Sequence, residues 1–201
     1  MKAVMISIQP KWVEKICHEI GKDENSKPIY EKRIEVRKSA PKEVPFKVYI
    51  YETYDKKYAD IGICWRNGKT FEHGCKKVIG EFVCDKVDDF YCASVPYQRE
   101  NNLGYGQFID NGVYKVNGWH EGIVFERNDR YIDTMLNNND LKEMRLTAQE
   151  LFDYIGVGKH LYGWRISDLK IYDKPLSLSE LGVTRPPQSW QYVEKLTNER
   201  I

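Results

Sequence analysis

YEKRIEVRK, residues 30–38, crowds charge onto one short segment, yet Ile34 and Val36 alternate with Glu35 and Arg37 in the rhythm of a strand. That alternation places Glu35 and Arg37 on one face and the two apolar residues on the other. Side chains two apart on a strand stand about 7 Å from each other, close enough to act on one ligand. Arginine offers a planar fork of donors, a carboxylate accepts from exocyclic amines, and Lys32 adds a point charge or, once deprotonated, a base. Together Lys32, Glu35 and Arg37 make a polar site of both signs, which a simple polyanion groove would not require. The plain alternative is a solvated strand face with a surface ion pair worth roughly 0–1 kcal/mol.

Upstream, KAVMISI (residues 2–8) reads as a strand, and Pro10 suits the first turn of a helix, PKWVEKICHEIG, ended by Gly21. Its apolar face carries Trp12, Val13, Ile16 and Ile20. KDENSKP (22–28) is a polar loop. Downstream, FKVYIYET (46–53) is the strongest strand pattern in the chain, and IGICWRNGKTFEH (61–73) reads as a hairpin about Asn67-Gly68. KKVIGEFVCDKV (76–87) is another strand, with Gly80 marking a bulge or a close approach.

From about 88 to 139 turn signals dominate, and the segment reads as a loop-rich insertion with short strands at GVYKV and GIVFER. Thr147 and Glu150 then form a capping box that starts the helix AQELFDYIG. YGWRISDLKIYDKP (162–175) reads as one long strand, SLSELG as a short turn, and TRPPQSWQYVEKL as a proline-stiffened bend with a last strand. The class is α+β with a mostly β core, a curled sheet or β-barrel in a single domain spanning 1–201.

Lys and Arg number 31 against 30 Asp and Glu, so no global charge draws the chain to nucleic acid and binding must be local. Fourteen tyrosines and five tryptophans suit sheet faces, and would equally suit base stacking. MKAVMISIQP is interrupted too soon for a signal peptide, and no apolar run approaches the roughly 20 residues of a membrane span. The expectation is a soluble, cytoplasmic chain. Its five cysteines lack CxxC pairs, which argues for reduced thiols. Cys64, Cys84, His73 and Cys75 lack close ligand spacing, so neither a metal nor a cofactor is expected.

ISIQPKWVEKI followed by EKRIEVRKSAPK resembles the opening of ASCH domains, members of the PUA-like superfamily, whose signature is G-x-K-x-x-E-x-R. Lys32, Glu35 and Arg37 fall on its K, E and R. Tyr30 stands where the family has Gly, and Gly21 lies nine residues earlier, so the intervening residues read as an insertion. KVYIYET, KKVIGEFVCDK, TAQELFDYIG, YGWRISDLKIYDKP and RPPQSWQYVE resemble a phage- and mobile-element-type subgroup of the family. The resemblance implies a PUA-like barrel with a cleft beside the first helix and the signature strand, of a kind that binds RNA or a single, sometimes modified, base. Trp12, Trp164 and Trp190 are then candidates for aromatic walls, with Arg185 and Gln188 at the mouth.

Some small ASCH proteins are amidohydrolases of acetylated cytidine, and the resemblance carries the catalytic Lys onto Lys32. The family's Thr is replaced here by Glu35, with Thr53 or Ser39 as substitute hydroxyls and Glu81 as the best second carboxylate. The sequence therefore favours a module that binds RNA, single-stranded nucleic acid or a nucleotide. A hydrolase of an acylated nucleobase, a ribonuclease-like enzyme and a protein-interaction adaptor of a mobile element are the alternatives.

Overall fold

The computed structural model describes residues 2–59, 63–66, 69–72, 76–91, 93–96, 107–109, 113–116, 120–127, 130–133, 138–155 and 159–194. In chain order the first elements are β1 (Lys2–Ile8), α1 (Pro10–Cys17), β2 (Glu19–Lys22), β3 (Pro28–Tyr30), β4 (Ile34–Arg37), β5 (Phe46–Glu52) and α2 (Lys56–Ala59). Next come β6 (Ile63–Arg66), β7 (Lys69–Glu72), β8 (Val78–Cys84), β9 (Val87–Tyr91), β10 (Ala93–Pro96), β11 (Gln107–Ile109), β12 (Val113–Val116), β13 (His120–Arg127) and β14 (Arg130–Asp133). The last are α3 (Asn138–Met144), α4 (Ala148–Ile155), β15 (His160–Arg165), β16 (Ser167–Leu176), a 3-10 turn (Leu178–Leu181) and β17 (Trp190–Val193). The chain divides into two compact units, one of residues 1–33, 41–87 and 165–201, the other of 34–40 and 88–164.

The first unit is built on a mixed five-stranded sheet in the order β16-β8-β5-β1-β17. β1 and β5 run parallel, from Lys2 opposite Phe46 to Ile8 opposite Glu52, while the other neighbours are antiparallel. Both faces are covered, which explains why these strands read as continuous apolar runs. Ala3, Met5, Tyr49, Tyr51 and Tyr172 enter one cluster with Leu181, and Val4, Ile6, Val48 and Ile50 alternate onto the opposite face, fully buried. Each such Val or Ile contributes about 1.5–3 kcal/mol through burial. Among the described residues this sheet is open, with β16 and β17 as its edges, and does not close into a barrel.

Gly80 is a site of close approach: a Cβ there would lie 2.6 Å from the Lys170 carbonyl oxygen. The β5–β8 register also shifts between Ile50 and Tyr51, so the bulge reading holds as well. The hairpin of β6 and β7 forms as expected, although Asn67 and Gly68 themselves lie outside the described residues.

α1 stops at Cys17 rather than Gly21, because His18 turns extended at φ −81° and ψ 112°. The returning chain captures its last carbonyls: the amide of Glu31 donates to His18 O at 2.8 Å and that of Lys32 to Lys15 O at 3.0 Å. Glu19–Lys22 then pair with Pro28–Tyr30, so KDENSKP is the tip of a hairpin. Asp23 shapes that tip, its Oδ1 accepting from the amides of Asn25 (2.9 Å) and Lys27 (2.8 Å). Ile20 leaves the helical face and is 53% exposed.

The second unit contains a three-stranded sheet, β4-β15-β9, and a five-stranded one, β10-β14-β13-β12-β11. The second of these shows that the stretch expected to be loop-rich carries a real antiparallel sheet, including the strands anticipated at GVYKV and GIVFER. Ile34, Val36, Phe90, Met144, Leu151 and Leu161 form one core cluster. α4 begins at the expected capping box, with Thr147 N donating to Glu150 Oε2 at 2.9 Å and Glu150 N to Thr147 Oγ1 at 3.2 Å. The long strand expected over 162–175 is two strands. It breaks at Ile166, whose amide donates to Arg33 O, and Asp168 adopts φ +48°, so β15 and β16 join different sheets.

Candidate functional site

The strand pairing of the first unit brings several segments to the carboxyl ends of β1 and β5. Thr53 N donates to Ile8 O at 2.9 Å, tying the end of β5 to the residue that precedes the α1 cap. Ser7 receives the proline-stiffened bend: its amide donates to Ser189 O at 3.0 Å and its hydroxyl to Pro187 O at 2.6 Å. The bend expected to form a mouth thus lies where β1 hands over to α1. Glu52, in register with Ile8, is fully buried there.

Trp12, on the first turn of α1, is half-buried and gathers cations. The ammonium groups of Lys11, Lys15 and Lys32 lie 4.4, 5.2 and 5.4 Å from its ring centroid. Lys32 is only 2% exposed. Its backbone is fastened to the last turn of α1, from where the side chain runs back along the helix to the indole. Ammonium–indole contacts are worth about 0.5–1 kcal/mol when exposed and about 2 kcal/mol or more when desolvated.

A second feature of this unit is a cleft of about 470 Å³ beside β17, lined by Leu181 to Arg185 and Gln191 to Glu194. Arg185 and the 53% exposed Tyr192 both face it. Trp190 meets Tyr192 edge to face, with centroids 5.4 Å apart at 84°.

Glu81 is not an outward-facing strand residue. Its Oε1 binds Lys47 Nζ at 2.6 Å and its Oε2 accepts from the Tyr172 hydroxyl at 2.6 Å. Burial, reinforced by the hydrogen bond and the charge of Glu81, pushes the Tyr172 hydroxyl well above the usual phenol range.

In the second unit Glu35 and Arg37 share a face as the alternation requires, and Arg37 Nη1 meets Glu35 Oε1 at 2.8 Å. Arg37 Nη1 also donates to Val36 O at 3.1 Å. Glu35 is 4% exposed, so the pair is interior rather than a solvated strand face. Trp164 is fully buried in the same unit. The two halves of the 32–37 stretch belong to different units: Lys32 joins Trp12 in one, and Glu35 joins Arg37 in the other.

Sequence reasoning passed over Lys11, Lys15 and Glu52. The first two stand at i and i+4 on one helix, on either side of Trp12 in sequence, a spacing that was available to be read. Glu52 was visible as a carboxylate ending an apolar strand. Among the described residues no group of His, Cys, Asp and Glu is placed to hold a metal. His73, Cys75 and the side chain of Cys64 lie outside them. No helix of the described residues is long and apolar enough to cross a membrane.

No protein-family model and no curated protein matches this chain. Solved structures do. The crystal structure of ASCH from Zymomonas mobilis is 15% identical, with a TM-score of 0.50, covering 96% of this chain and 89% of that one. A Tyr-to-Phe mutant of the same protein is also 15% identical, with a TM-score of 0.50 and coverage of 97% and 92%. At that identity the likeness is one of fold: the chain is folded as an ASCH protein is, over nearly its whole length.

Proposed function

We propose that this chain is an ASCH-type, PUA-like module that binds single-stranded RNA or a single nucleotide at the mouth formed by Trp12, Lys32 and the Pro187–Ser189 bend. The observation that carries the reading is the buried Lys32 ammonium, 5.4 Å from the centre of a half-buried indole whose other cations are Lys11 and Lys15. An aromatic face beside fixed positive charge is what a single-stranded base and its backbone require. Stacking a base is worth about 1–3 kcal/mol, more than an exposed lysine gains on the same ring, so a base displaces Lys11 or Lys15 from Trp12. Arg185 and Tyr192, in the cleft beside β17, offer a second aromatic and cationic pair for a neighbouring nucleotide.

The ASCH fold likeness supports the family assignment, and the phage- or mobile-element subgroup belongs to the same proposal. Fluorescence anisotropy with a short labelled single-stranded RNA tests it. Binding should weaken with salt and fall at least about tenfold in Lys32→Ala and in Trp12→Ala. Unchanged affinity in both variants rejects this mouth as the binding site.

Hydrolysis of an acylated nucleobase is the second reading, favoured by one observation: Lys32 is desolvated, as a catalytic amine would be. Against it, Glu81 is occupied by Lys47 and Tyr172, and Glu35 stands where the family's hydroxyl is wanted. Release of acetate from N4-acetylcytidine, abolished by Lys32→Ala, would establish the enzyme over the binder. The adaptor reading has no observation in its favour.

A further inference from the structure

Lys11 and Lys15 stand over the same indole as Lys32, which concentrates positive charge at one place on a chain whose net charge is only +1. Among the described residues neither Lys11 nor Lys15 makes an ion pair. Glu31 Oε2 meets His18 Nδ1 at 2.9 Å, and Glu14 shares its surroundings with Tyr58, whose hydroxyl is pushed up by burial and by the charges of Glu14 and Asp55. Lys11 and Lys15 thus bring two ammonium groups to the Trp12 ring beside that of Lys32.

A neutral base would use the ring and leave that charge uncompensated. An anion carried on the base would use both. Resting on the nucleotide-binding reading above, we infer that the ligand is a phosphorylated nucleotide rather than a nucleoside, with Lys11 and Lys15 as its phosphate-binding residues and Trp12 as its stacking platform. The two lysines lie one helical turn apart on flexible stems, so both reach one phosphate group once the base has taken the ring. A tetrahedral phosphate, with three free oxygens as a terminal monoester or two as a backbone diester, offers two ammonium groups, each with three donors, acceptors that diverge out of one plane as those of a carboxylate do not.

Isothermal titration calorimetry of the four ribonucleosides, their 5′-monophosphates and a tetranucleotide RNA, at one salt concentration, decides the matter. At least one monophosphate should bind about tenfold or more tighter than its nucleoside. That ratio should collapse towards one in the Lys11→Ala/Lys15→Ala protein and persist in Lys11→Arg/Lys15→Arg. Lys11 is exposed and Lys15 half-buried, and the arginine variant controls for any loss of fold. A tetranucleotide preferred over every monophosphate assigns the phosphate to an RNA backbone, and the reverse order assigns it to a free nucleotide; both uphold the inference. Equal affinity for nucleoside and monophosphate overturns it while leaving the base-binding reading intact. Absence of binding by all of these ligands overturns both, and so does tight binding of polyglutamate in place of them.

Discussion

Replacing Lys47 by Met should cost the protein about 3–5 kcal/mol, because it leaves the Glu81 carboxylate interior without its ammonium partner. The geometry supports a figure that large. Lys47 Nζ and Glu81 Oε1 are 2.6 Å apart, with side chains 13% and 11% exposed, so solvent screens the pair little. The other carboxylate oxygen accepts from Tyr172 at 2.6 Å, and Tyr172→Phe should cost about 1.5–3 kcal/mol, as hydrogen bonds to charged groups do. The three residues bridge β5, β8 and β16, so their losses should not add. The decisive construction is the double variant Lys47→Met/Glu81→Met. Removing the stranded charge should make it more stable than Lys47→Met alone, by about 1–4 kcal/mol. Urea unfolding followed by circular dichroism gives each value, provided the slope is constant across the set. A Lys47→Met cost below about 1 kcal/mol, the range of exposed pairs, refutes the argument. So does a double variant weaker than the single.

The same cluster predicts alkaline sensitivity: Tyr172 holds its proton more tightly folded than unfolded, so its contribution is whole below about pH 10 and lost as pH rises above that value. The pH-dependence of stability above pH 10 should therefore lose one proton in Tyr172→Phe, and an unchanged slope counts against the buried hydrogen bond. Gly80→Ala should destabilise by roughly 2–4 kcal/mol, since its Cβ would meet the Lys170 carbonyl at 2.6 Å and backbone must shift to relieve the contact. A thermal-melt loss within error of zero would show that β8 and β16 stand further apart. Arg37→Met should cost about 3 kcal/mol or more by withdrawing the guanidinium from buried Glu35, whereas Lys2→Met, which breaks an exposed pair with Glu43, should cost under about 1 kcal/mol. Comparable costs for the two would return Glu35 to the surface.

The parts of the fold legible in advance were those set by neighbours in sequence. Thr147 and Glu150 cap α4 because both halves of the box lie within four residues. Gly80 announced a close approach because few other reasons put glycine in the middle of so apolar a strand. The candidate site divided along the same line. The alternation of Ile34, Glu35, Val36 and Arg37 correctly put the two charges on one face, but their burial could not be read, since it depends on elements more than fifty residues away.

By itself the sequence determined the principal strands of the first unit, where α4 begins, and that Glu35 and Arg37 share one strand face. Periodicity, propensity and capping are local, and each is complete within a few residues. Tertiary structure alone decided where α1 stops, where residues 162–175 break, that Glu81 is spent on Lys47 and Tyr172, and that three lysines meet over Trp12. Those outcomes rest on hydrogen bonds and burial between residues distant in the chain, such as Glu31 with His18, Ile166 with Arg33, and Tyr172 with Glu81. No local pattern encodes such partners, because the energy that selects them exists only after the strands have paired and water has left.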